Sequence, residues 1–238
     1  MLGSFIVSYR RQVHPLPPRT LRLSGQFGFV VFVLMLVGYL TRFGPLLSAD
    51  QAVLDALTPY AVPGSAWVHT QETISTIFGP TTFRGVALIV GVVCLARKRY
   101  RIVLFLAAGV GIGGLILAVT KLIVDRPRPN EAAVSAFSSS FPSGHALGVT
   151  VGVMSLLLLI WPIASTMWRA IATTAGTVVI LAVGFSRLAL AVHHLSDVLA
   201  GFGLGLAWVV LVYTLTAPRL DLGVRRAIDR QGAIVDSK

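Results

Sequence analysis

Acidic residues are scarce in this 238-residue chain, with nine Asp and Glu against 20 Lys and Arg and a formal net charge of +11. Charge of either sign is thin, at 12% of residues, about half the share usual for a soluble domain. Cysteine is nearly absent. Cys94 is the single one and sits in an apolar run, which excludes an internal disulfide and a cysteine metal cluster and fits a small buried residue. No carboxylate cluster has metal-ligand spacing, so neither a metal nor a cofactor is expected. Internal repeats and low-complexity stretches are missing too.

What is abundant is apolar sequence, 55% of the chain with a mean hydropathy of +0.81, arranged in long blocks. A bilayer-spanning helix needs about 20 mainly apolar residues. Six blocks read as spans, at 25–43, 81–96, 102–120, 144–162, 170–185 and 198–215. The segment 67–78 reads as amphipathic or interfacial, with Trp67 as a headgroup anchor. The fold expected is therefore all-α, a polytopic membrane bundle of six transmembrane helices. A basic segment (1–24) precedes the bundle (25–215) and a polar tail (216–238) follows it. Arg10, Arg11, Arg19 and Arg22 precede the first block, and no small-residue cleavage site follows it. That block reads as a retained anchor, and neither end carries a lipidation motif.

In such a chain a basic excess marks loops beside anionic headgroups rather than a nucleic-acid partner. With both termini cytoplasmic, fourteen of the 20 lysines and arginines fall inside, the cluster Arg97, Lys98, Arg99, Arg101 among them. The outside then holds Lys121, Arg126, Arg128, His145, Arg187, His193, His194 and Asp197. Ionisable residues at membrane depth are costly, about 2.5–3.5 kcal/mol each at a helix centre on insertion scales. Their gathering at span ends on one face points to a functional pocket.

Three segments carry the chemistry. In KLIVDRPRP (121–129), Lys121, Arg126 and Arg128 form a dense cation set, and the prolines bias the preceding residues towards extended backbone. A loop touching headgroups explains this segment as well as an anion site does. In FPSGHA (141–146), Ser143 reads as an N-cap, Gly144 admits a ligand close to the backbone, and His145 falls in the first turn beside any anion held there. In SRLALAVHHLSD (186–197), His193 and Asp197 are four apart and share a face if the stretch is helical. A carboxylate on one imidazole nitrogen fixes the tautomer, frees the other to attack, and stabilises the charge that follows. Arg187 offers a planar fork to phosphoryl oxygens.

Together, Lys-x6-Arg-Pro, Pro-Ser-Gly-His and Ser-Arg-x5-His-x3-Asp resemble the type 2 phosphatidic acid phosphatase (PAP2) superfamily, which also holds glucose-6-phosphatases, bacterial acid phosphatases and vanadium haloperoxidases. The resemblance rests on Lys121, Arg128 and Pro129, then Pro142, Ser143, Gly144 and His145, then Ser186, Arg187, His193 and Asp197. It covers roughly 102–215 and implies a haloperoxidase-like helical core. It also implies that His193 attacks phosphorus and Asp197 orients it. Lys121, Arg128 and Arg187 would then hold the phosphoryl oxygens with help from Ser143 and Gly144, and His145 would protonate the leaving oxygen. Three fixed cations can replace metal ions in a reaction that is mostly positioning and charge stabilisation.

The implied substrate is a lipid phosphate. Family resemblance favours a polyprenyl diphosphate, with phosphatidic acid and phosphatidylglycerol phosphate beside it. A phosphotransferase, a vanadate-holding haloperoxidase and a non-enzymatic lipid-phosphate binder or transporter are the competing readings. The histidines argue against the last, since anion binding alone needs only the cations. Neighbouring residues receive blander roles. His194 points away from the site, Arg126 assists binding at most, and Asp125 pairs with a loop cation. His69, Glu72 and Glu131 are ordinary surface groups near the entrance, and Trp161 and Trp168 are interface anchors.

Overall fold

The computed structural model describes residues 18–135 and 138–216. Every regular element among them is helical. α1 (Pro18–Leu40) crosses from the basic end of the bundle to the opposite end. There α2 (Gly44–Leu57) and α3 (Ala66–Ile77) lie before the chain returns as α4 (Pro80–Ala96). α5 (Tyr100–Val124), α6 (Gly144–Ile160), α7 (Thr166–Ala189) and α8 (Leu195–Thr216) then alternate in direction. Six long helices thus run through the bundle, as the sequence implies. Among the described residues five stretches are long and apolar enough to cross a membrane, with α3 and α4 counted as one, and α6 is the shorter apolar sixth.

Local chemistry sets the boundaries. Ser65, Ser143 and Ser165 cap α3, α6 and α7, their hydroxyls accepting from Val68, Ala146 and Trp168 N–H. Pro45 and Pro80 occupy the first turns of α2 and α4, where the missing N–H costs nothing. α5 contains a π-turn at Ala107–Ile112, within which the Gly109 carbonyl accepts from the Trp208 indole at 2.9 Å.

At 17 residues α6 is about 25 Å long, short of a ~30 Å hydrocarbon core. It is also among the most buried helices, packed by α4, α5, α7 and α8, so lipid need not match its length. α8 packs most extensively on α1 and α6 through small residues. A Cβ on Gly28 would meet the Gly203 carbonyl at 2.7 Å. The core at the basic end is built from Leu21, Phe105, Leu158 and Val209 with their neighbours. Leu88, Ile89, Leu115, Leu122 and Ile123 face outward, the last two about four-fifths exposed. An apolar outer surface on this scale is a lipid-facing surface.

Three expectations need correction. The first helix begins by Pro18 rather than at 25, because Arg19 and Arg22 extend it at the basic end. Asp125 makes no ion pair among the described residues; it ends α5 in the left-handed conformation, φ 37° and ψ 48°. And the stretch holding His193 is not helical, since α7 stops at Ala189 and α8 starts at Leu195.

Candidate active site

The loop between α5 and α6 folds back on itself and delivers two cations. Lys121, on the last turn of α5, donates to the Ser139 carbonyl, and Ser139 Oγ donates to the Lys121 carbonyl at 3.0 Å. Ser140 N–H donates to the Arg126 carbonyl at 2.8 Å and closes the turn. Arg128 donates from Nε to the Ser138 carbonyl at 2.9 Å and from Nη1 to the Val192 carbonyl at 2.7 Å. The same Nη1 lies 3.3 Å from His193 Nε2. Burial lowers the proton affinity of Arg128, opposed by the charge of Asp197, but a guanidinium remains protonated.

His193 sits in the turn between α7 and α8, held as Val192 N–H donates to the Arg187 carbonyl at 3.2 Å. Its Nδ1 lies 3.5 Å from Asp197 Oδ2, an ion-pair distance longer than a good hydrogen bond. Catalytic contacts of this kind often tighten once substrate binds. Burial pushes the His193 pKa down to about 4 against the pull of Asp197, and Arg128 and Arg187 push the same way. The imidazole is therefore neutral at pH 7. So the i, i+4 pairing holds without a helix through His193. Asp197 lies in the first turn of α8 and reaches back over the turn, accepting His194 N–H at 2.9 Å. His194 does not point away, as its Nδ1 is 3.3 Å from the same oxygen.

The third cation, Arg187, ends α7. It is 8% exposed, donates from Nη1 to Ser75 Oγ on α3 at 3.1 Å, and leaves Nε without a hydrogen-bond partner among the described residues. His145, half-buried in the first turn of α6, lies within electrostatic reach of His193, Arg128 and Arg187. Ser143 N–H donates to the Asp197 carbonyl at 2.9 Å and ties that turn to α8. All eight residues named from the sequence as site candidates thus gather at one end of the bundle, the end away from Arg97–Arg101. No cluster of three or more His, Cys, Asp or Glu able to hold a metal occurs among the described residues.

Arg126, whose role the sequence leaves open, is placed by the structure behind the site. It is 4% exposed and bonds inward to Asp50 and Asp197 at 2.8 Å each, rather than facing an anion. Asp50, Ser75 and Ser196 were not named at all. The only signal was an aspartate in an apolar chain, and only the path of α2 brings it here. His69 and Glu131 are exposed, and Glu72 is half-buried within electrostatic reach of Arg187. Arg169 packs on Trp161 and bonds its carbonyl at the basic end, which fits an anchor.

Beside Gly144 an apolar groove opens between α4, α5 and α6, lined by Pro80, Gly113, Gly114, Leu117 and Gly148. Arg84 lies in its wall with Nη2 against Gly114, and it has no carboxylate partner among the described residues.

Known proteins resemble this chain in family and in fold. The PAP2 superfamily model matches residues 102–221. Phosphatidylglycerophosphatase B of Bacillus subtilis (strain 168) is 33% identical over 171 residues, 69% of this chain and 82% of that protein. Decaprenylphosphoryl-5-phosphoribose phosphatase of Mycobacterium tuberculosis is 30% identical over 122 residues, 49% of this chain and 62% of its own length. The crystal structure of a transmembrane PAP2 type phosphatidylglycerolphosphate phosphatase from Bacillus subtilis superposes with a TM-score of 0.69 at 26% identity, covering 81% of this chain and 95% of that one. The chain belongs to the PAP2 superfamily, in its membrane lipid phosphatase branch, and is a phosphoric ester hydrolase.

Proposed function

We propose that this lipid phosphate phosphatase works through a phosphohistidine on His193. The observation that carries the reading is the setting of that imidazole, with Nδ1 towards the buried carboxylate of Asp197 and Nε2 towards the Arg128 guanidinium. A neutral imidazole oriented in this way is a nucleophile aimed at a cation-held phosphoryl group. Lys121, Arg128 and Arg187 hold the phosphoryl oxygens, joined by the Ser143 hydroxyl and the Gly144 N–H at the start of α6. Nε2 forms the P–N bond as the P–O bond to the lipid breaks, and His145 gives its proton to the departing oxygen. Water then attacks phosphorus, His145 takes the water proton, and the P–N bond breaks to release inorganic phosphate.

The groove receives the leaving lipid, being mostly apolar and reaching the site at Gly144. Arg84, which lines the groove and has no carboxylate partner among the described residues, suits a substrate that carries a second phosphate between lipid and terminal phosphoryl group. Polyprenyl diphosphate and phosphatidylglycerol phosphate both have one, whereas phosphatidic acid does not. Both relatives are named for lipid substrates of this doubly phosphorylated kind. With the Arg97–Arg101 loop in the cytoplasm by the positive-inside rule, the site faces the extracytoplasmic side.

The test is a panel of the three lipids presented to purified protein and scored by kcat/KM, with His193→Ala alongside. Free inorganic phosphate from wild type and none from His193→Ala is the expected result. Full turnover by that variant overturns the nucleophile assignment, and a phosphorylated acceptor in place of free phosphate makes the enzyme a phosphotransferase.

A further inference from the structure

Asp197 is wholly buried, and its carboxylate is divided between two tasks. Oδ2 faces His193 and His194, while Oδ1 accepts from Arg126 Nη1 at 2.8 Å. Arg126 Nη1 also donates to Ser196 Oγ at 2.7 Å, and Nη2 donates to Asp50 Oδ2 at 2.8 Å. Ser196 closes the ring by donating its hydroxyl to Asp50 Oδ2 at 2.6 Å and its N–H to Asp50 Oδ1 at 2.8 Å. The guanidinium carbon of Arg126 lies 4.5 Å from the ring centroid of Tyr39, which in turn stacks on Phe141. Asp50, Arg126, Ser196 and Asp197 are each under 5% exposed.

We infer that Asp50, Arg126 and Ser196 are positioning residues for the phosphatase reaction, fixing the rotamer and charge of Asp197 so that one carboxylate oxygen stays trained on His193. The inference rests on His193 as nucleophile and adds what holds its partner in place. The geometry is over-determined. Arg126 bridges three acceptors with its fork, which a lysine ammonium cannot do in the same plane. Asp50 holds that fork and also the Ser196 N–H in the first turn of α8, so the helix carrying Asp197 cannot turn without breaking the ring.

Charge gives Asp50 a second part. One guanidinium stands between two carboxylates, so the buried trio carries a net charge of −1. When His193 gains the phosphoryl group its imidazole becomes cationic, and that surplus negative charge is what offsets it in a low-dielectric site. Without Asp50, Arg126 would neutralise Asp197 and the surplus would vanish.

The experiment uses full-length protein in detergent with radiolabelled phosphatidic acid as the probe. Phosphoenzyme formation is followed as acid-labile, base-stable label, and vanadate inhibition reports on the phosphate site. Arg126→Gln slows phosphoenzyme formation on the order of 100-fold, the cost of a misplaced catalytic group. Asp50→Asn removes the negative charge and turns one of the two acceptor oxygens into an NH2 donor, and it slows the step at least about tenfold, or ~1.4 kcal/mol. In both variants the vanadate inhibition constant stays within about twofold of wild type, because the phosphate-holding groups are untouched. Arg126→Lys recovers part of the rate. Wild-type rates in both variants overturn the proposal. So does a parallel loss of vanadate binding and turnover, which would make the ring a fold-holding feature only. Should Arg126→Gln fail to fold, Asp50→Asn decides. A wild-type enzyme that forms no phosphohistidine fails at the earlier step, the nucleophile itself.

Discussion

Ser143 and Asp197 are joined through their backbones, the Ser143 N–H donating to the Asp197 carbonyl at 2.9 Å. The start of α6 and the carboxylate beside His193 are therefore one rigid piece. Gly201, one turn further along α8, is what permits the approach. A Cβ there would sit 2.6 Å from the Ser143 carbonyl oxygen and 2.8 Å from Ala146 Cβ.

Gly201→Ala tests that piece. Overpacking is expected to cost about 1–3 kcal/mol of stability, since the obstacle is backbone and cannot swing aside. Thermal unfolding in detergent reports the loss, and phosphate release should fall with it as α8 moves off α6. An unshifted Tm with full activity would mean that the two helices separate at little cost.

The pH dependence of phosphoenzyme formation follows from His193. A free imidazole titrates near 6.5, but burial holds this one near 4, and only the neutral form attacks. The acid limb of the single-turnover rate is therefore expected near pH 4, well below ~6.5. The stability effect has the same direction. Because the folded pKa is depressed, the unfolded chain binds more protons between about pH 4 and ~6.5, so His193 destabilises the fold progressively as pH falls through that window. Single-turnover rates and denaturation midpoints from about pH 3 to ~8 measure both.

His145→Ala separates leaving-group protonation from nucleophilic attack. A lipid alkoxide departs poorly without a proton, so turnover of phosphatidic acid should fall on the order of 10²–10⁴-fold. A p-nitrophenyl ester needs no such help and should be much less affected. Equal losses on the two substrates would assign His145 to phosphate binding instead.

Arg84→Gln addresses the groove. Activity towards phosphatidylglycerol phosphate is expected to fall about tenfold, the size of one charge-assisted contact. Activity towards phosphatidic acid, which lacks the second phosphate, should stay within about twofold. A uniform loss or no loss on either substrate would mean that the side chain only snorkels towards the headgroups.

The sequence by itself determined the class of fold and named most of the residues that gather into the candidate site. Long apolar blocks admit only membrane helices, because backbone groups in lipid must bond within their own segment. The three motifs name the cations and the histidines because phosphoryl transfer demands those residue types. Orientation of charge along the chain was legible too, with the basic cluster Arg97–Arg101 one span away from Lys121. Tertiary structure alone decided what stands behind the reacting groups. The His193–Asp197 pairing read as two residues on a helix, yet it is made by a helix start reaching back over a turn. Arg126 read as a spare cation beside Arg128, yet it is turned inward to Asp50, some 76 residues earlier in the chain. No local pattern encodes such a pair. A buried charge takes whichever partner the packing of distant helices supplies, and here α2 lying across the end of the bundle supplied Asp50.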